Sequence, residues 1–136
     1  MRYAARVSGP ILDRLDLQIE VTALTSEELL TASHGELTSL VRERVLAARA
    51  VQYARGWLNA QLPAPLLREH CALDTQGHQL VTDAVDRGGM SARAVHRALR
   101  VARTIADLAG EEHMSALRLA EALQYRAYET RHQREG

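Results

Sequence analysis

The sequence predicts a mainly α protein, a helical bundle led in by one β-strand. Two observations carry this expectation. Residues 17–21 alternate, with Leu17, Ile19 and Val21 on one side and Gln18 and Glu20 on the other, which is the period of a half-buried strand. After Thr25 the chain reads as helix-forming runs divided by Gly, Pro and capping residues, and no second alternating run follows for the first to pair with.

The elements follow in order. Ser26 to Leu30 can form a short helix capped by Thr25 or Ser26, and Ser33-His34-Gly35 breaks the pattern. Residues 38–55, TSLVRERVLAARAVQYAR, are rich in strong helix formers and stop at Gly56, a good residue to follow a helix. NAQLPAPLL reads as a loop in which Pro63 and Pro65 interrupt helix, with a short helix from Leu66 to Cys71. Asp74 or Thr75 caps a helix to about Asp86 whose apolar face is Leu80, Val81, Ala84 and Val85, and Gly88-Gly89 ends it. Ser91 caps the clearest helix, residues 92–109, which stops at Gly110. Ser115 caps a last helix, residues 116–131, ahead of a polar tail.

Composition bounds the function. The chain has 136 residues, enough for one domain with an ordinary core, and its 46% apolar content suits a globular fold. A mean hydropathy of −0.24 and the lack of any long apolar run argue against a membrane span. Cys71 is the single cysteine, so no internal disulfide framework exists, and a reducing, cytoplasmic compartment is expected. The 17 basic and 17 acidic residues cancel, so no global field draws the chain to nucleic acid or membrane. All the basic residues are arginine. Without lysine, a phosphate loop of the G-x-x-x-x-G-K-[ST] kind cannot exist in this chain.

The helix over residues 92–109 has two distinct faces. Val95, Leu99, Ala102, Ile105 and Ala106 form the expected core stripe. Arg93, Arg97 and Arg100 form a row on roughly the opposite side. Two readings of that row stay open on spacing alone: a solvated face, or guanidinium forks aimed at phosphate, with Arg93 in the first turn where the helix dipole favours an anion.

The remaining candidates are weaker. His70, Cys71 and His78 can be drawn as a metal cluster, but sequence-adjacent side chains on a helix point apart, so no metal is expected and Cys71 reads as a small buried side chain. His96 and His113 lack a partner pattern, and Trp57 is expected to anchor a loop on the core. Packing is the default for Tyr125 and Tyr128. No Ser/His/Asp or Cys/His constellation suggests nucleophilic catalysis.

Three stretches resemble a known family. SGPILDRLDLQIEV, RERVLAARAVQYARGWLNAQL and SARAVHRALRVARTIADLAG followed by LAEALQYR are similar to the C-terminal part of the magnesium-chelatase-like AAA+ ATPases, the ComM/YifB group. The matching segments run from about Arg6 to Arg126, nearly the whole chain. The family's phosphate loop, acidic Mg²⁺ motif and sensor asparagine are absent. The resemblance therefore implies a fragment in three parts: residues 1–24, the arginine-finger turn and last strand of an α/β core; residues 25–131, the helical lid; and residues 132–136, a polar tail. The strand would be orphaned: disordered, packed on the helices or paired with another copy.

The resemblance also implies site residues. Arg14, in ILDR, matches the arginine finger that reaches the γ-phosphate of a neighbouring subunit; the plain alternative is a turn-fixing pair with Asp13 or Asp16. Arg93, in SARAVHR, matches the sensor-two arginine that reaches nucleotide in its own subunit, although Val95 stands where a tyrosine is expected. Arg97 is a further nucleotide-binding candidate outside the match, and Arg100 is a supporting or solvated residue. The implied parent is an ATPase using ATP and Mg²⁺ in a homo-oligomer, a hexamer working on DNA as a branch-migrating helicase in natural transformation. Metal insertion into a tetrapyrrole ranks below that. The fragment alone would be inactive for want of a phosphate loop. The reading from another class is a free-standing helical interaction or nucleic-acid-binding module, against which the neutral charge argues.

Overall fold

Local sequence places most helix boundaries in a computed structural model that describes residue 11, residues 14–31 and residues 35–126. Asp13, Tyr128 and the tail 132–136 lie outside those residues. The helices are α1 (Ser26–Leu30), α2 (Thr38–Ala54), α3 (Ala64–His70), α4 (Thr75–Asp86), α5 (Ala92–Leu108) and α6 (Ala116–Gln124), with a 3₁₀ turn at Asn59–Gln61.

The caps follow the sequence. Thr25 and Glu28 form a reciprocal capping box on α1. Asp74 accepts the Gly77 N–H at 2.7 Å, and Ser91 accepts the Ala94 N–H at 3.2 Å. Gly56, Gly89 and Gly110 take positive φ after α2, α4 and α5, the left-handed conformation that closes a helix. Ser115 sits at the start of α6 without a side-chain cap bond.

Helix α5 is the centre of the bundle and packs against α2, α3, α6 and the 3₁₀ turn. Its buried face is a stripe of alanines, Ala94, Ala98, Ala102 and Ala106, joined by Leu99. Small side chains let the neighbouring backbones approach closely. Leu62, Leu67, Cys71, Met114, Leu119 and Ala122 complete the core. The expected stripe is thus turned toward Ala94 and Ala98, with Val95 and Ile105 partly buried at its edges.

The mainly helical reading stands, with four local corrections. Among the described residues none is in a strand: residues 17–25 have no regular structure. Leu17, Ile19 and Val21 are 50%, 68% and 88% exposed, so the alternation does not sort into an inner and an outer face. A strand needs an edge to pair with, and the described bundle offers only helices. With residues 14–16 the segment forms instead a strap laid across the end of the bundle, where the Gln18 N–H donates to the Tyr125 carbonyl at 2.9 Å. Second, α3 starts at Ala64 with Pro65 in its first turn, where the missing N–H costs nothing. Third, α6 ends at Gln124, because Tyr125 turns its carbonyl to the strap and Arg126 folds underneath, 2% exposed. Fourth, Trp57 is 43% exposed and is not part of the buried core.

Candidate functional site

The strap and α5 frame an open groove of about 940 Å³. Val101, Ile105 and Leu108 of α5 form its apolar floor, and Val41 and Val45 of α2 form one wall. Arg14, Arg93, Arg97 and Arg100 stand along its cationic side, and Arg118 and Tyr125 close the far end. A concave apolar floor with converging cations is the form of a small anionic ligand's site.

The arginines differ in what they already hold. Arg93 is exposed, one turn inside the capped start of α5, and forms no hydrogen bond or ion pair with a described residue. Arg14 is also exposed, and its guanidinium has no partner among the described residues; its N–H donates to the Ile11 carbonyl at 2.9 Å, which closes a turn. Asp16 is engaged elsewhere than Arg14: its Oδ1 accepts from the Arg97 Nε at 2.6 Å. Arg97 also donates through Nη2 to the Arg14 carbonyl. Arg100 is no solvated residue, since its Nε and Nη2 both donate to the Leu62 carbonyl, at 3.0 and 2.7 Å. The structure therefore brings Arg14, Arg93 and Arg97 to one groove and separates two with open guanidinium groups from one that is occupied.

Under the groove lies a buried polar network that the sequence reading missed. Arg103 donates to Asp107 Oδ1 at 3.1 Å and to the Glu111 and Glu112 carbonyls at 2.5 and 3.0 Å. Asn59 donates to Asp107 Oδ2 at 2.7 Å and to Thr104 at 3.1 Å, while its own N–H reaches Gln52 at 2.9 Å. Arg55 also donates to Asp107. The signal was the opposite-charge i, i+4 pair at 103 and 107, interleaved with the alanine stripe. At the far end Arg118 reaches Glu111 at 2.6 Å, and this hydrogen bond holds the Glu111 carboxyl below its ordinary range. Cys71 is buried with its thiol 3.6 Å from the Leu99 carbonyl; burial pushes its pKa up to about 11. Among the described residues no His, Cys, Asp or Glu cluster has the form of a metal site, and no helix is long and apolar enough to cross a membrane.

Comparison with known proteins shows the family. Residues 35–126 match the family described as "Magnesium chelatase, subunit ChlI C-terminal", and residues 1–29 match "Magnesium chelatase, subunit ChlI". The chain belongs to the magnesium chelatase ChlI C-terminal family. Among curated relatives of this ChlI-type chain, the competence protein ComM of Haemophilus influenzae is 46% identical over 129 residues, covering 93% of this chain and 25% of the relative. The uncharacterized protein YifB of Escherichia coli is 40% identical over 130 residues, 93% of this chain and 26% of the relative. YifB of Salmonella typhimurium is 41% identical over the same coverage. The chain thus spans about a quarter of the length of these relatives. The ComM/YifB-type resemblance rests on almost the whole chain, groove included.

Proposed function

We propose that this chain is the lid-side end of an AAA+ ATPase in which the groove faces nucleotide. The observation that carries the reading is the convergence of Arg14 and Arg93, far apart in sequence, on one groove with their guanidinium groups open. A phosphate chain offers charge-assisted acceptors, and each open fork matches such a group better than it matches solvent. In this reading Arg93 is the sensor-two arginine acting in cis, and Arg14 is the finger that stabilises charge developing on a neighbouring subunit's γ-phosphate. Residues 1–24 are the edge of the upstream core, residues 25–131 the lid and residues 132–136 a tail. ATP, Mg²⁺, the phosphate loop and the oligomer, a hexamer, belong to the full-length protein. The relative's name, competence protein, supports a DNA-remodelling task in the cytoplasm, branch migration during recombination or natural transformation.

A second reading has its own support. Because Arg14 and Arg93 line the same opening, both can grip one phosphate chain in cis. The two readings separate in mixed oligomers of the full-length protein, in which Arg14→Ala subunits are combined with subunits carrying a defective phosphate loop. Action in trans restores turnover at boundaries where an intact Arg14 meets an intact loop, and action in cis restores none. The primary test is steady-state ATP hydrolysis by full-length Arg14→Ala and Arg93→Ala, with oligomer formation checked. Loss of about 10³–10⁵ in rate is expected for a finger. Unchanged turnover in both variants would reject the nucleotide-facing groove and favour the free-standing interaction module.

A further inference from the structure

We infer that Arg97 is a positioning residue, a latch through which the lid helix α5 holds the turn that carries Arg14; the inference rests on the nucleotide-facing reading of the groove. Three consecutive strap residues are gripped by Arg97 of α5 and by Arg126, just past α6. Arg97 holds the Asp16 carboxylate through Nε at 2.6 Å and the Arg14 carbonyl through Nη2. Arg126 reaches the Leu15 carbonyl at 3.3 Å. Together with the Arg14 N–H bond to Ile11, these contacts fix the backbone on both sides of the Arg14 side chain while leaving its guanidinium open.

The asymmetry of burial assigns the role. The Arg97 side chain is 11% exposed, against 57% for Asp16, so Arg97 is the inner, pre-organised half of the pair. A planar fork suits the site, because Nε and Nη2 address a carboxylate and a carbonyl in fixed directions, an orientation that the rotatable ammonium of a lysine does not pre-set. Arg97 is therefore turned to the strap, and Arg93, one helical turn away, is the α5 arginine left for a ligand. Arg93 and Arg97 lie one turn apart on the same continuous helix, so α5 sets the placement of the Arg14 turn relative to Arg93.

The test uses the full-length oligomer and compares Asp16→Asn, Arg97→Gln, their double variant and Arg14→Ala. Asp16→Asn is the decisive substitution: it is near-isosteric, lies on a half-exposed side chain and removes the charge of the ion pair while leaving the Arg14, Arg93 and Arg97 side chains in place. The expected result is a fall in kcat of at least about tenfold with KM for ATP unchanged within about twofold, and a double variant no worse than the worse single, as for residues acting through one contact. Thermal melts and oligomer size, unchanged in Asp16→Asn, establish that the fold is kept. If Asp16→Asn and Arg97→Gln keep full turnover while Arg14→Ala collapses, the latch is wrong and the finger stands. If Arg97→Gln raises KM and spares kcat, Arg97 contacts nucleotide and the latch is wrong. If Arg14→Ala is itself silent, the groove reading falls and the latch with it.

Discussion

Arg103 and Asp107, one turn apart on α5, form an ion pair that is almost wholly removed from water, at 2% and 5% exposure. Each is satisfied on several sides: Asp107 by Arg55 and Asn59, Arg103 by two carbonyls of the turn after α5. The pair ties α5 to the 3₁₀ turn, to the end of α2 and to the approach to α6. Its value lies less in net attraction than in the cost of breaking it. Asp107→Ala leaves a buried guanidinium uncompensated and should destabilise by about 3–5 kcal/mol. That is a large share of the roughly 5–15 kcal/mol available to a domain of this size. Urea unfolding of the 136-residue chain measures it; a loss below about 1 kcal/mol would mean that water reaches Arg103.

Cys71 makes alkaline stability a readout of burial. Its pKa is raised from the ordinary 9.0 to about 11, mainly by desolvation. The folded state therefore holds the thiol proton more tightly than the unfolded state does. This contribution is fully present below pH 9 and is lost as pH rises from 9 toward 11, at about 1.4 kcal/mol per pH unit. Chemical denaturation across that window should show a negative slope that is shallower in Cys71→Ala. Equal slopes in the two proteins would show that Cys71 is accessible.

Two glycines separate steric from conformational cost. At Gly88 an added Cβ would lie 2.5 Å from the Ala84 carbonyl oxygen, a backbone atom that cannot swing away. At Gly110 the Cβ meets nothing within 4 Å, and only the φ of +70° penalises it, by about 1–2 kcal/mol. Thermal melts should show Gly88→Ala as the more damaging change. The reverse order would mean that the turn after α4 relaxes freely.

The Arg118–Glu111 pair predicts an acid effect of the opposite sign to that of Cys71. The hydrogen bond from Arg118 lowers the Glu111 pKa from its ordinary 4.5, so the stability it supplies is present above that value and is lost as pH falls through the lowered one. Arg118→Ala should flatten the acid limb of a stability–pH profile below pH 4.5. Both partners are partly exposed, which keeps the effect small, and 1 M salt should weaken it further.

Much of this was legible because local rules and tertiary structure agree. The capped starts of α1, α4 and α5 and the glycine stops after α2, α4 and α5 are read directly from Thr25, Asp74, Ser91, Gly56, Gly89 and Gly110. The row of Arg93, Arg97 and Arg100 was visible as a row. What each arginine holds was not, because Asp16 and the Leu62 carbonyl are distant in sequence and no periodicity points to them. The alternation at Leu17, Ile19 and Val21 misled for a related reason: a strand is defined by its partner, and the pattern is retained where the pairing is not. Arg103, Asp107 and Arg126 were missed because charged residues are taken for surface by default, and only a surrounding network overrides that. Pro65 was read as an interruption although its position in a first turn makes it an initiator.

The alanine face of α5 has a mechanical side. Seventeen residues make a rod about 25 Å long. Long side chains would cushion such a rod, but buried methyl groups have no rotamers with which to give way. A rotation of about 5° at the Arg93 end displaces the Asp107 end by roughly 2 Å, more than hydrogen-bond geometry tolerates. The helix therefore cannot yield locally to a pull at its start. It behaves as a lever whose far end is bolted, so that a small displacement near Arg93 is passed on as movement of the bundle as a whole.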